Sequence, residues 1–289
     1  MSRQENTMNN HVSSRRRFIG RAAAVAAATA LPRAQAAPGG LPSNTGHDDP
    51  SPQWDALRGK LYGARPIATG DASLVQLMIP LRAAYGASVP VKFETRVPQS
   101  ADRYLKQVRF VVDKNPSPVA ATLALTPELG QADFETRLRV DEYSHVRAIG
   151  EMNDGSLHMA SRYVKVSGGC SAPPNRDQMH LIGKTSFRIP EGLKRGGPTA
   201  ADVTVIHPND TGFELNNVTV MFIPPHFVRR VKVAYGDQLL FDADQDFSIS
   251  ENPMWRFRFV PRGSGVLVAE VEDSKEQRFQ GRLDPATAS

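Results

Sequence analysis

A single cysteine in 289 residues leaves no intramolecular disulfide framework and no two-thiol redox cycle that the chain could run alone. An excess of charge is also missing once the N-terminal stretch is set aside. The formal net charge is +5, but residues 1–36 carry six arginines (3, 15, 16, 17, 21 and 33) against one acidic residue, Glu5. Thirty-five less six, and 30 less one, leave 29 basic and 29 acidic residues. A neutral body gives no electrostatic footprint for nucleic acid. Long apolar runs are lacking too: Ala22 to Leu31 is short and alanine-rich, below the length of a membrane span. There is no phosphate-cradling glycine loop and no catalytic serine elbow. Asp242-Ala243-Asp244-Gln245-Asp246 opens like a calcium loop but continues with Phe247 for glycine and reaches Pro253 where a glutamate is needed.

What the N-terminus does have is a three-part export signal. Ser14-Arg15-Arg16-Arg17-Phe18 is the charged head, Ala22 to Leu31 the apolar stretch, and Ala34-Gln35-Ala36 a small-residue cleavage site. The paired arginines before Phe18 read as a twin-arginine signal. The expectation is a periplasmic protein, exported after folding and cleaved after Ala36. Residues 37–53, rich in Pro, Gly, Ser, Asn and Asp, then read as a flexible tether.

Beyond Trp54 the chain is a succession of strand-like runs. In Phe134-Glu135-Thr136-Arg137-Leu138-Arg139-Val140 apolar and polar positions alternate with the strand period of two. Related runs are Leu74 to Ile79, Ser88 to Thr95, Tyr104 to Asp113, Val119 to Leu125, Ser144 to Glu151 and Leu157 to Val166. Turn signals such as Asn153-Asp154-Gly155 separate them. A second block follows with Ala201 to Ile206, Asn217 to Phe222, Val228 to Tyr235, Gln238 to Phe241, Met254 to Phe259 and Gly265 to Glu272. Tyr235-Gly236-Asp237-Gln238 is a hairpin turn, and Trp255, Phe257 and Phe259 alternate with Arg256 and Arg258, aromatics inward. Trp54 to Tyr62 is the one short helix. The expected fold is all-β: two immunoglobulin-like antiparallel β-sandwich domains, 54–166 and 179–285, joined by a Gly/Pro-flanked cysteine segment, 167–178.

That segment, Ser167-Gly168-Gly169-Cys170-Ser171-Ala172-Pro173-Pro174, organises the reading. Glycine accepts either sign of φ and proline withdraws backbone donors. No sheet is expected to absorb such a stretch, and Cys170 is expected to lie exposed near its bend. A thiol enzyme needs a base or cation beside the sulfur; Lys165 and Arg176 are close in sequence, with nothing to aim either. His207 and His226, each beside a proline, read as supports for turns or for the interface between the domains rather than as metal ligands. His145 and His158 lie in strands without ligand-like spacing. No catalytic residue, metal ligand or cofactor is assigned.

The two blocks resemble the SoxY and SoxZ subunits of bacterial periplasmic sulfur oxidation. In the first, the resemblance is carried by Gly86-Ala87-Ser88-Val89-Pro90-Val91, Asp113-Lys114-Asn115-Pro116-Ser117-Pro118, Thr136-Arg137-Leu138-Arg139-Val140 and Val164-Lys165-Val166-Ser167-Gly168-Gly169-Cys170. In the second, it is carried by Ile206-His207-Pro208-Asn209-Asp210-Thr211-Gly212, Ile223-Pro224-Pro225-His226-Phe227 and Ser248-Ile249-Ser250-Glu251-Asn252-Pro253. The resemblance implies a non-enzymatic carrier. Cys170 would be the attachment point for a small sulfur-containing cargo, on a mobile arm formed with Gly168, Gly169 and Ser171, and the partners would be sulfur-oxidation enzymes. The family's arm ends the SoxY chain as Gly-Gly-Cys-Gly-Gly; here Ser-Ala-Pro-Pro follows the cysteine and the arm is internal. A segment tethered at both ends reaches less deeply into an enzyme than a free chain end. These departures resemble the fused SoxYZ-like carriers associated with quinoprotein dehydrogenases of periplasmic alcohol metabolism. The alternative is a non-catalytic adaptor that docks such a dehydrogenase or its c-type cytochrome, with Cys170 incidental. Neither reading involves nucleic acid or membrane insertion.

Overall fold

The computed structural model describes residues 51–194 and 196–286. The export signal and all but the last residues of the expected tether lie outside them. Among the described residues no helix is long and apolar enough to cross a membrane.

Helix α1 (Pro52–Tyr62) begins inside the stretch read as tether. The Ser51 hydroxyl accepts from the Trp54 amide at 3.4 Å, and Pro52 occupies a first-turn position where its missing N–H costs nothing. Trp54 is held by the Arg147 guanidinium, 4.7 Å above its ring, and Arg147 grips Asp113 with two bonds of 2.8 and 2.7 Å.

The first block forms β1 (Ile67–Ala68), β2 (Val75–Met78), β3 (Val89–Thr95), β4 (Leu105–Val112), β5 (Val119–Leu125), β6 (Phe134–Leu138), β7 (Ser144–Met152) and β8 (Leu157–Val164). The second forms β9 (Thr185–Arg188), β10 (Thr199–Val205), β11 (Leu215–Asn216), β12 (Met221–Phe222), β13 (Val228–Tyr235), β14 (Gln238–Gln245), β15 (Met254–Phe259), β16 (Leu267–Asp273) and β17 (Arg278–Leu283). The fold is all-β, and each block is a two-layered, immunoglobulin-like sandwich.

The layers do not stop at the boundary between blocks. One sheet runs β1-β8-β7-β4-β5-β14-β13-β16-β17 and the other β2-β3-β6-β15-β10-β9. Two antiparallel pairings make the join. In one, β5 meets β14 with Leu125 opposite Phe241 and Ala121 opposite Gln245; in the other, β6 meets β15 with Phe134 opposite Phe257. Trp255, Phe257 and Phe259 face inward at 1 % exposure or less, as their alternation requires. Trp255 packs against Phe110 and Phe134 of the first block at 5.9 and 6.3 Å between ring centroids. One continuous hydrophobic core therefore serves both sandwiches.

The run Asn217 to Phe222 is not one strand. β11 and β12 are two-residue strands about a turn in which the Asn216 carboxamide oxygen accepts from the Val218 and Thr219 amides at 2.9 and 3.1 Å. A short polar side chain that captures backbone donors competes with a ladder and favours a turn. The edge strands β9 and β17 were not among the sequence-derived strands: half their residues face solvent, so their apolar alternation is faint.

Candidate functional site

Between β8 and β9 the chain crosses the seam of the two sandwiches, and here the sequence expectation of an exposed thiol is corrected. Cys170 is 1 % exposed. Gly168 and Ser171 do face solvent, while Gly169 is buried with the cysteine. The glycines serve docking rather than looseness. Gly168 turns the chain at φ +74°, and its amide donates to the Asp141 carbonyl at 2.8 Å. The Gly169 amide donates to the Val140 carbonyl at 3.1 Å. A Cβ on Gly169 would lie 2.4–2.7 Å from backbone atoms of Gly86 and Val140. One on Gly86 would lie 2.6 Å from the Ser167 carbonyl. The arm thus rests on bare backbone, which only glycine permits.

Both sides of the cysteine are tied down. Its amide donates to Asp141 Oδ1 at 3.0 Å, and its carbonyl accepts from the Thr211 hydroxyl at 2.5 Å. Arg139 Nη1 donates to the carbonyls of Gly169 at 3.0 Å and Ala172 at 3.4 Å, and Nη2 to the Asn209 carbonyl at 3.3 Å. Further along, the Tyr85 hydroxyl donates to the Pro173 carbonyl, and Arg176 bonds Asp210 and Glu214 at 2.7 and 2.8 Å. Arg176 is therefore engaged away from the sulfur, and the Lys165 amide is bonded to the Leu81 carbonyl.

The cation beside the thiol is Arg139, which sequence reasoning did not single out. It is 1 % exposed, its Nε has no hydrogen-bond partner, and among the described residues no carboxylate comes within ion-pair distance. Burial lowers its pKa, against the pull of a charge on Cys170. On the sulfur itself burial dominates, helped by Asp141 and opposed by Arg139, and the pKa is pushed up from 9.0 to about 12. A docked Cys170 is a thiol at neutral pH, and a thiol is a poor nucleophile. Arg139 was hidden by its setting: Leu138, Arg139 and Val140 are buried in succession, breaking the period of two where β6 ends.

The Arg139 bond to Asn209 leads to the two histidines. Asn209 sits at φ +48°, and its amide donates to His207 Nδ1 at 3.1 Å. His207 Nε2, His226 Nε2 and the Asp273 carboxylate converge in a buried cluster, with separations of 3.3, 2.8 and 3.8 Å. These are the donor types of a divalent-metal site. A ligating histidine, however, donates from its other ring nitrogen, whereas His207 Nδ1 accepts. That places the ring proton on Nε2, which faces His226 Nε2 at 3.3 Å and lies 3.8 Å from Asp273, beyond hydrogen-bond reach, and the Nδ1 bond makes the cluster a support for the Asn209 turn. Burial and the neighbouring His226 lower the pKa of His207 from 6.5 to about 4. Burial would raise Asp273, but bonds from His226 and from the Gln277 and Lys275 amides outweigh it and hold the carboxyl below its usual range.

Family models match both blocks of the chain. The family described as "Sulfur oxidation protein SoxY" matches residues 58–170, ending on the cysteine, and "Sulphur oxidation protein SoxZ" matches residues 187–284. Among solved structures, the sulfur carrier protein SoxY from Chlorobium limicola f thiosulfatophilum is 24 % identical. That match covers 39 % of this chain and 91 % of the other, with a TM-score of 0.33. A superoxide reductase (neelaredoxin) from Ignicoccus hospitalis is 18 % identical over 38 % of this chain and 97 % of its own, with a TM-score of 0.32. No curated protein matches. The chain is a fusion of a SoxY domain and a SoxZ domain, and belongs to that family of sulfur-oxidation carrier proteins.

Proposed function

We propose that this chain is a periplasmic carrier on which Cys170 holds a sulfur-containing cargo covalently and presents it to partner enzymes. The observation that carries the reading is the placement of the chain's one cysteine. It lies on a segment outside both sheets, at the seam, fastened by separate hydrogen bonds instead of a ladder. Each such bond contributes roughly 1 kcal/mol net, so the seven that fasten residues 168–173 hold the open state to roughly one molecule in a hundred thousand. That is rare enough to protect the thiol and frequent enough to load it. In the open state the thiolate attacks the sulfur of a disulfide-type donor; a new S–S bond forms on Cys170 and the displaced sulfur departs with the electron pair. Export by the twin-arginine route and service to a quinoprotein dehydrogenase or c-type cytochrome belong to the same proposal, the latter from the internal position of the arm.

The test is intact-mass analysis, without reductant, of the protein taken from its native compartment. A mass excess on the peptide around Cys170, removed by reductant and absent from Cys170→Ser, is the expected result. An unmodified thiol in cells grown on sulfur compounds and on alcohols would overturn it. The second reading, an adaptor in which the cysteine is incidental, is favoured by one observation, the 1 % exposure of Cys170. Under it, Cys170→Ala recovers the same dehydrogenase in a pull-down as wild type.

A further inference from the structure

The docked arm holds its sulfur in an enclosed and electrically unequal setting. Cys170 is almost fully buried, and the Gly169 backbone is seated against Gly86 and Val140, so a group carried on the sulfur stays close to the side chains that fasten the arm. The charges are also unequal. Asp141 cannot swing away without releasing the Cys170 amide that it accepts at 3.0 Å. A second carboxylate, Asp246, also acts on the sulfur. Arg139 opposes them, but its terminal nitrogens are already bonded to three carbonyls. Two negative groups and burial outweigh one cation.

We propose that Asp141 couples what Cys170 carries to where the arm sits: it holds the unloaded arm through the Cys170 amide and repels an arm whose sulfur bears a negative group. The same carboxylate is latch for the empty carrier and ejector for the charged one. Asp141 is thus a positioning residue, acting on the arm and not on the bond being made or broken. The inference rests on the carrier reading for its use in the cell, but not for its test.

The mature chain is loaded in dilute urea, which is then removed, and the loading is checked by intact mass. With tetrathionate, the Cys170 thiolate attacks an inner sulfur and thiosulfate leaves with the electron pair, giving a negatively charged adduct. With methyl methanethiosulfonate, methanesulfinate leaves and a neutral methylthio group remains. Hydrogen exchange is read at the Gly168, Gly169 and Cys170 amides, which are bonded to Asp141 and Val140 when the arm is docked. In wild type these amides should exchange about tenfold or more faster in the charged adduct than in the neutral one. In Asp141→Asn, whose side-chain oxygen still accepts from Cys170, that ratio should fall below about threefold. Equal exchange of the two adducts in wild type, or an undiminished ratio in Asp141→Asn, would overturn the proposal. Because the adducts are made chemically, a chain that carries nothing in the cell still gives a clear answer. Conversely, failure here leaves the mass excess expected of a carrier untouched.

Discussion

At the scale of single residues, burial sets the protonation behaviour of the site. The docked Cys170 pKa lies near 12 against an ordinary 9.0. A thiol that binds its proton more tightly when docked stabilises docking fully below about pH 9, and that contribution is lost as pH rises toward 12. Alkylation of Cys170 by iodoacetamide should therefore be much slower than in a peptide of the same sequence near neutrality, with the gap narrowing above pH 9. Equal rates at pH 7 would contradict a docked arm. His207 behaves oppositely. Its pKa is lowered from 6.5 to about 4, so the unfolded chain binds the extra proton, and stability present above pH 6.5 is lost on acidification toward pH 4. The effect is of order 3 kcal/mol. Urea unfolding at pH 7 and pH 4.5 should show that loss in wild type and a smaller one in His207→Gln.

At the scale of elements, the arm and its bed are one unit. Gly169→Ala places a methyl against the Gly86 and Val140 backbones and should lift the arm. We expect alkylation of Cys170 to become about tenfold or more faster, with a shift of only a few degrees in melting temperature. An unchanged rate would mean that the contact is not what holds the segment. Much of this level was legible in advance. Period-two alternation located the interior strands, and Trp255-Arg256-Phe257-Arg258-Phe259 had its inward face assigned correctly. Half-exposed edge strands such as β17 leave little alternation to read, and one side chain, Asn216, sufficed to turn an apparent strand into a hairpin. The glycines and the cysteine were identified as the distinctive segment, but local flexibility does not reveal what lies opposite. The burial of Cys170 depends on Gly86, Arg139, Asp141 and Thr211, brought together from distant parts of the chain. Sequence reading had no means to place a buried arginine at a strand end.

For the whole molecule the seam matters most. Trp255 belongs to the second block yet fills space between Phe110 and Phe134 of the first. Trp255→Ala should cost about 3–5 kcal/mol, and the loss should appear in both halves together. Calorimetry should give a single cooperative transition for wild type and for this variant; two resolved transitions would show the sandwiches to be thermally independent. The shared sheets have a further consequence. β5 and β6 on one side, and β14 and β15 on the other, would be open edges if the halves were separate chains, and pairing between them would then depend on concentration. Joined by the segment that bears the cysteine, each half meets its mate at an effective concentration of the order of millimolar. The pairing is always one to one, a given SoxY half cannot exchange its SoxZ mate, and the arm's bed stays complete however far the protein is diluted.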